Sequence, residues 1–266
     1  MNEQSSVVRC RLLASPNVSD RLNRTSTALG RGRDACGAAA SAADLGGRAC
    51  PLNLTRRFQT LDISQPHAGR SASNLFLPTL EAERLIIRPL ASDDLENCHR
   101  LFGEIGWADA EVSDETNRER RRRWLEWTIA GYREFARLHQ PQYGERAIAS
   151  KTEGAFLGLI GMVPCLDPFA QLVSAGVGKG ALNTPEVGLF WALLPAAQVA
   201  GLATEAARTF TEHLFAQLRL KRLVATTERA NAPSIAVMKR LGMLVEENPF
   251  SEPEHFEVVG TLEAPA

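Results

Sequence analysis

The chain has 266 residues, of which 44% are hydrophobic and 23% are charged, and its formal net charge is −1. This composition predicts a water-soluble globular protein and argues against nucleic-acid binding by the chain as a whole. No run of about 18 apolar residues occurs, which excludes a membrane-spanning helix. The five cysteines and five histidines are scattered, without metal-ligand spacing, and no apolar leader follows Met1. This pattern predicts no metal site and a reducing, cytoplasmic location.

The first 74 residues differ in composition from the rest. Residues 1–75 hold ten arginines, no lysine and five acids, a net charge of about +5. They show no sustained apolar period, so 1–74 is predicted to be a disordered basic tail and 75–266 one folded domain. Four origins of the tail remain open: a misassigned start codon, a disordered extension, a targeting peptide, or a segment that binds nucleic acid or an anionic surface.

The predicted domain begins with a strand and two helices. Glu83 to Leu90 predicts a strand, and Ser92 to Asp94 predicts the cap of a helix that runs to about Gly103. The segment Thr116 to Glu119 (TNRE) has the form of a capping box and predicts the start of a long helix. Residues at three- and four-residue spacing predict its buried face: Trp124, Trp127, Gly131, Phe135 and Leu138, with Leu125, Ile129 and Tyr132 widening the stripe.

A hairpin and a long loop are predicted next. Glu145 to Lys151 and Phe156 to Val163 read as strands joined by a turn that ends at Gly154. The segment Pro164 to Asn183 contains Gly, Pro and Ala and is predicted to be a functional loop.

The second half alternates strands with helices. A helix is predicted over 202–218, and a second is capped by Asn231 and ended by Gly242. Strands are predicted over 186–194, 222–228, 243–246 and 256–261. This order predicts an α/β (α+β) fold in which helices flank a mixed sheet.

The segment Gln198 to Ala203 (QVAGLA) joins an apolar strand to a helix. Its side chains are small or apolar apart from Gln198, and it carries no acid. Such a segment leaves backbone N–H groups exposed at a helix start, where the helix dipole favours a phosphate group. An ordinary strand–turn–helix junction is the alternative interpretation.

Four segments together resemble the GCN5-related N-acetyltransferase (GNAT) superfamily. They are ERLIIRPL from Glu83, PEVGLFWALLPAAQ from Pro185, QVAGLATEAAR from Gln198, and ATTERANAPSIAVMKRLGM from Ala225. The resemblance covers about residues 78–262 and is greatest to the branch containing the bacterial ribosomal-protein alanine N-acetyltransferases. It implies a mixed, mostly antiparallel central sheet and acetyl-CoA as the acetyl donor.

The resemblance also implies which residues bind acetyl-CoA. The backbone of Trp191, Ala192 and Leu193 is expected to hydrogen-bond the pantetheine arm, and Asn231 to face its pantetheine or thioester end. The pyrophosphate is expected at the loop and helix start: Gln198, Val199, Ala200, Gly201, Leu202, Ala203 and Thr204.

Two residues are the predicted catalytic groups. Glu186 is the predicted base that deprotonates the amine, directly or through water, and the alternative is a solvated or amine-positioning carboxylate. Ser234 is the predicted acid, because Met238 stands where many members carry a tyrosine, and Thr226 stands where others carry a glutamate. The thiolate can also leave unassisted, since a thiol pKa is about 8.5.

The expected activity is direct transfer of an acetyl group, in a ternary complex, to a primary amine of a protein N-terminus or a small molecule. The loops 104–116 and 164–183 are expected to shape the acceptor pocket, where Asp167 and Glu186 would attract a cationic amine. No membrane or nucleic-acid partner is expected, and a homodimer stays open. The alternative is a non-catalytic acyl-CoA sensor or interaction domain on the same fold.

Overall fold

The computed structural model describes residues 77–265, apart from the side chain of Val199. The predictions for the tail, 1–74, lie outside the described residues. Eight strands occur in the described part: β1 Leu80–Glu81, β2 Leu85–Pro89, β3 Gly144–Ser150, β4 Phe156–Asp167, β5 Thr184–Leu193, β6 Arg222–Thr227, β7 Leu244–Glu247 and β8 Val258–Glu263. Its four α-helices are α1 Leu95–Glu104, α2 Asp114–Arg137, α3 Leu202–Leu218 and α4 Ala232–Arg240.

The strands form one sheet in the order β1-β2-β3-β4-β5-β6-β8-β7. Neighbouring strands are antiparallel except β5 and β6, which run parallel and are connected through α3. The predicted α/β (α+β) fold with a mixed, mostly antiparallel sheet is therefore confirmed. Of the helices in residues 77–265, none is long and apolar enough to cross a bilayer.

Alternate residues of the central strands point into two hydrophobic cores. Ile160 and Trp191 belong to the core that also contains the buried residues of α3 and α4. Leu159 and Ala192 belong to the core that also contains the buried residues of α1 and α2. We call this second side of the sheet the α1/α2 face.

Both helix starts in the first half differ from their predicted caps. The Asp94 carboxylate does not cap α1; it accepts two hydrogen bonds from the Arg88 guanidinium, at 2.7 and 2.8 Å. The helix α2 begins two residues before Thr116, because Ser113 is its N-cap and accepts a hydrogen bond from the Thr116 N–H at 3.2 Å. Both predicted helices exist, but neither helix start has the side-chain cap that was predicted.

The buried face of α2 was predicted in part. Its buried residues are Arg121, Leu125, Thr128 and Tyr132, of which Leu125 and Tyr132 belong to the predicted stripe, whereas Trp127 is 47% exposed. The Tyr132 hydroxyl orients the helix, because it donates to a β3 carbonyl and accepts from a backbone N–H after β2. A tyrosine with two buried partners therefore lies inside while a tryptophan stays at the surface.

The strand β4 continues through Pro164, so the predicted loop over 164–183 is wrong for its first four residues. On one side β4 pairs with β5 as far as Asp167, but its pairing with β3 ends at Met162. Pro164 lies beyond the last residue of β4 that pairs with β3. On that side of β4 no backbone N–H is needed for a hydrogen bond between strands. The short strand β1 was not predicted.

Candidate active site

The central sheet opens between β5 and β6. The strands β4 and β5 pair along the whole length of β5, whereas β5 and β6 pair at one position, Gly188 with Val224. Because the two strands are parallel, their carboxyl ends reach the same edge, and α3 and α4 both begin beyond that edge. In open α/β sheets, ligands bind at the edge where the carboxyl ends of neighbouring strands lead into helices. The opening is therefore the candidate site.

The backbone of β5 borders this opening. The Leu194 N–H donates to the Leu157 carbonyl oxygen of the β4 side at 2.9 Å. Since N–H groups alternate along a strand, those of Trp191 and Leu193 point away from β4, toward the opening. The N–H of Ala192 points toward β4. Two of the three backbone groups predicted to bind pantetheine, those of Trp191 and Leu193, therefore face the opening, and that of Ala192 does not.

The predicted phosphate loop consists of two parts. Gln198 to Ala200 lie in a 3-10 helix, Pro195–Ala200, and Gly201 then adopts φ +76°. The first intrahelical bond of α3 joins the Glu205 N–H to the Gly201 carbonyl oxygen at 3.1 Å. The N–H groups of Leu202 to Thr204 precede that bond and stand at the positive end of the helix dipole. An anion at this helix start would contact those N–H groups rather than the ones in the 3-10 helix.

Side chains fix the loop at both ends. Gln198 Nε2 donates to the Leu193 carbonyl oxygen at 3.0 Å. Arg84 Nε donates to Glu205 Oε2 at 2.7 Å, and Arg84 Nη1 donates to the Ala200 carbonyl oxygen at 3.0 Å. Sequence reasoning missed the role of Arg84, because its partners lie more than 110 residues away along the chain.

The start of α4 supplies the next group of predicted residues. Asn231 is the N-cap, and its Oδ1 accepts a hydrogen bond from the Ser234 N–H at 3.2 Å. Ser234 and Met238 are both fully buried. Met238 packs beside Gly260 of β8, so it is a core residue with no proton to donate.

Three predicted site residues carry buried polar atoms that have no hydrogen-bond partner among the described residues. They are Trp191 Nε1, Thr204 Oγ1 and Ser234 Oγ. Buried polar groups are normally hydrogen-bonded, and leaving one unpaired costs about 1–3 kcal/mol. Each of the three lies on an element that borders the opening, which fits a site for a polar ligand.

Glu186 lies on the α1/α2 face, two residues before Gly188, whose pairing with Val224 closes one end of the opening. Its Oε1 accepts a hydrogen bond from Arg222 Nη2, and this bond raises the pKa of the Arg222 guanidinium above its ordinary value. The Glu186 side chain is 14% exposed. The ion pair places one carboxylate oxygen of Glu186 against a cation. The role of Glu186 as base stays a prediction.

A family model described as "Acetyltransferase (GNAT) domain" matches residues 84–244, which is more than half of the chain. The chain belongs to the GNAT acetyltransferase family. The predicted superfamily is thereby confirmed, and the four segments that resembled it lie within or overlap the matched range.

This GNAT chain is similar to individual proteins either over a short stretch or at low sequence identity. The uncharacterized N-acetyltransferase YnaD of Bacillus subtilis (strain 168) is 41% identical over 61 residues, which is 23% of this chain and only 35% of YnaD. An acetyltransferase from Agrobacterium tumefaciens str. C58 is similar in structure, with TM-score 0.48 and 23% identity over 70% of this chain and 95% of that one. The ribosomal-protein-S5-alanine acetyltransferase from Vibrio fischeri has TM-score 0.49 and 15% identity over 70% and 96%.

The second predicted amine-attracting acid of the GNAT domain, Asp167, is also paired. His255 Nε2 lies 2.7 Å from Asp167 Oδ1. His255 belongs to the segment between β7 and β8, and sequence reasoning missed it because 88 residues separate the two partners. Asp167 pairs across the sheet with Thr184, so it shares a face with Glu186, two residues further along β5.

The Ser234 hydroxyl gives a stability prediction. Ser234→Ala removes an unpartnered buried group, so we expect the free energy of unfolding of the ligand-free protein to rise by about 1 kcal/mol. Ser113→Ala is the matched control: it removes the N-cap of α2 and should lower the same quantity by about 1 kcal/mol. Urea denaturation of both variants checks the opposite signs. A loss in Ser234→Ala as large as that in Ser113→Ala would show that its hydroxyl is bonded.

Proposed function

We propose that the chain transfers an acetyl group from acetyl-CoA to a primary amine, of a protein N-terminus or a small molecule, by direct attack in a ternary complex. The observation that supports this is the opening between β5 and β6, at whose edge α3 and α4 begin, in a domain of the GNAT family. Where β5 and β6 separate, backbone N–H groups in the middle of the sheet can donate hydrogen bonds to a ligand while the other strands stay paired.

The residues around the opening fit acetyl-CoA. Its pyrophosphate is proposed to bind the N–H groups of Leu202 to Thr204, where the helix dipole is positive. The amides of its pantetheine arm need partners such as the Trp191 and Leu193 N–H groups, which point toward the opening. The unpartnered Thr204 Oγ1 is a further donor for an anionic group.

The chemistry has three requirements that this chain must meet. The amine must lose a proton before it attacks the thioester carbonyl carbon, the oxyanion needs a donor, and the thiolate leaves as the C–S bond breaks. The proposed oxyanion donors are main-chain N–H groups of β5 that point toward the opening, such as those of Trp191 and Leu193, because they are fixed backbone groups. Ser234 is the proposed proton donor to the thiolate, since Met238 cannot serve.

Glu186 is proposed to act on the incoming amine, either as the base that takes its proton, directly or through water, or as the carboxylate that positions it. Arg222 contacts its Oε1, and no hydrogen bond joins its Oε2 to another described residue, which leaves that oxygen for an ammonium group.

The loop provides the first test. Gly201→Ala puts a Cβ on a residue with φ +76°, which costs about 1–2 kcal/mol and shifts the N–H groups of the helix start. Because displaced N–H groups no longer converge on one anion, we expect its Kd for acetyl-CoA to rise about tenfold, a loss of about 1.4 kcal/mol of binding free energy. Isothermal titration of the full chain with acetyl-CoA measures this.

Gly242→Ala is the matched control for Gly201→Ala. Gly242 has φ +82° just after α4, at the end of that helix away from the opening, and a Cβ there meets no atom within 4 Å, so its substitution carries a similar backbone cost. Its Kd should equal that of the wild type. Equal Kd values for the two variants would argue against the loop as the pyrophosphate site, and binding without any amine-dependent turnover would favour a sensor.

A further inference from the structure

Arg84 brings a positive charge to the helix start at which the pyrophosphate is proposed to bind. Its Nε and Nη2 atoms both lie 2.7 Å from Glu205 Oε2, and its backbone N–H donates to Glu205 Oε1 at 2.7 Å. Nη1 donates to the Ala200 carbonyl oxygen at 3.0 Å. One residue therefore binds both oxygens of the Glu205 carboxylate, with the short, charge-assisted hydrogen bonds that are the strongest of their kind.

The backbone that carries Arg84 is held in place. Arg84 lies in the turn between β1 and β2, where the Ala82 N–H donates to the Leu85 carbonyl oxygen at 2.8 Å. The Arg84 carbonyl oxygen accepts from the Lys151 N–H, just after β3, at 2.9 Å. Leu85 is fully buried in the core that also contains the buried residues of α3. The cation thus has a defined position relative to that helix.

Glu205 is the acid in the first turn of α3. Since a helix rises 1.5 Å per residue, its Cα lies only about 4.5 Å along the axis from that of Leu202. The positive end of the helix dipole favours a carboxylate there, as it favours the pyrophosphate. The two anions therefore compete for the same end of the helix, and like charges closer than a Debye length of about 8 Å repel each other in physiological salt. The Glu205 side chain is 16% exposed, so little water surrounds it.

The ion pair with Arg84 cancels this repulsion, because the pair has no net charge. A Cβ on Gly201, the residue directly before α3, would lie 3.9 Å from Arg84 Nη2, so the cation lies against the helix start itself. Arg208, one turn further along α3, donates to the Arg240 carbonyl oxygen at 3.1 Å instead. Of the described residues, Arg84 is the one whose cation pairs with Glu205.

We infer that Arg84 is a positioning residue for acetyl-CoA: it neutralises Glu205 and thereby allows the start of α3 to hold the pyrophosphate. This inference rests on the proposed function. Arg84 acts on the binding of acetyl-CoA and not on the reacting atoms, so its loss changes Kd and the acetyl-CoA KM while kcat stays close to that of the wild type. A residue that only held the loop through the Ala200 carbonyl would respond differently to removal of the acid.

Isothermal titration of full-chain variants with acetyl-CoA separates the two roles. In Arg84→Gln the carboxylate of Glu205 is left without its cation, and we expect Kd to rise about tenfold. In the double variant Arg84→Gln/Glu205→Gln neither charge remains, so Kd should return to within about threefold of the wild-type value. Arg84→Lys keeps a cation without the guanidinium group and should keep most of the affinity. Glu205→Gln alone leaves a surplus cation and should bind acetyl-CoA at least as tightly as the wild type.

Salt gives a second readout that a purely structural role would not change. Raising the salt concentration from about 50 mM to about 500 mM shortens the Debye length, so the difference in Kd between Arg84→Gln and the wild type should shrink. A difference that is the same at both concentrations would overturn the inference. So would a double variant as weak as Arg84→Gln, or an Arg84→Gln protein that binds like the wild type.

The remaining outcomes separate this inference from the proposed function. If Arg84→Gln does not fold, Glu205→Gln still decides, because a raised Kd in that variant would contradict charge cancellation. If the wild type does not bind acetyl-CoA, the proposed function fails before any substitution and the inference fails with it. If the wild type binds acetyl-CoA and the Kd values follow the predicted order but no amine is acetylated, the proposed transfer fails and the role of Arg84 is supported.

Discussion

Replacing Gly158 with alanine is expected to lower the free energy of unfolding by at least about 3 kcal/mol. A Cβ on this residue would lie 2.1 Å from the Ala192 carbonyl oxygen and 2.8 Å from the Leu193 Cα, both of which belong to the backbone of β5. Backbone atoms cannot rotate away as a flexible side chain can, so β4 and β5 must separate. Because this part of β5 borders the opening, any Gly158→Ala protein that folds should also bind acetyl-CoA more weakly.

Gly103→Ala is the control for that effect. Gly103 lies in α1 with no heavy atom within 4 Å of a Cβ, so alanine should raise the free energy of unfolding by up to about 1 kcal/mol through helix propensity. Urea denaturation of the two variants separates a general glycine effect from the close approach of β4 and β5. A Gly158→Ala protein as stable as the wild type would contradict the described packing of these strands.

The buried carboxyl of Glu145 is expected to make stability fall as the pH rises through the weakly acidic range. Burial raises its pKa from 4.5 to about 7, and the field of Arg121 opposes this shift only in part. Between these two pH values the folded protein holds a proton that the unfolded chain has lost. Stability therefore decreases from about pH 4.5 to about pH 7 and levels off above, by about 3 kcal/mol for this group.

Glu145→Gln isolates this contribution, because glutamine resembles the protonated acid at every pH. The wild type should lose about 3 kcal/mol relative to Glu145→Gln across the window, measured by urea denaturation at a series of pH values. Arg121 stays in both proteins, with its guanidinium 3.2 Å from the Phe102 ring centroid. Parallel stability curves for the two proteins would show that the carboxyl is solvated or paired in solution.

Local patterns predicted much of this fold. The helix α3 has the bounds that its apolar spacing gave, and Asn231 caps α4 as predicted. Both features depend on residues within a few positions of each other. The prediction for α2 put both Trp127 and Tyr132 on its buried face. Only Tyr132 is buried there, because its hydroxyl bonds to two other elements, and such bonds leave no mark on the period of a single helix.

The candidate site likewise has a local part that was predicted and long-range contacts that were not. Its backbone part, the segment 198–204 that joins a strand to a helix start, was predicted because a run of small residues before a helix is a local property. Its side-chain pairs were not, since Glu186 meets Arg222 across 36 residues and Asp167 meets His255 across 88. Parallel pairing of β5 with β6 and the course of β4 past Pro164 create these contacts, and both belong to the sheet rather than to any one segment.

The most direct test of acetyl transfer at this opening is release of the CoA thiol from acetyl-CoA by the full chain in the presence of an amine panel. The panel should contain N-terminal peptides and small apolar amines, with mass spectrometry of each amine. The predicted result is thiol release that depends on the amine, a mass gain of one acetyl group on that amine, and a decrease of both in Gly201→Ala when acetyl-CoA is below its Kd for that variant. Acetyl-CoA binding with no amine-dependent thiol release from any member of the panel would contradict it.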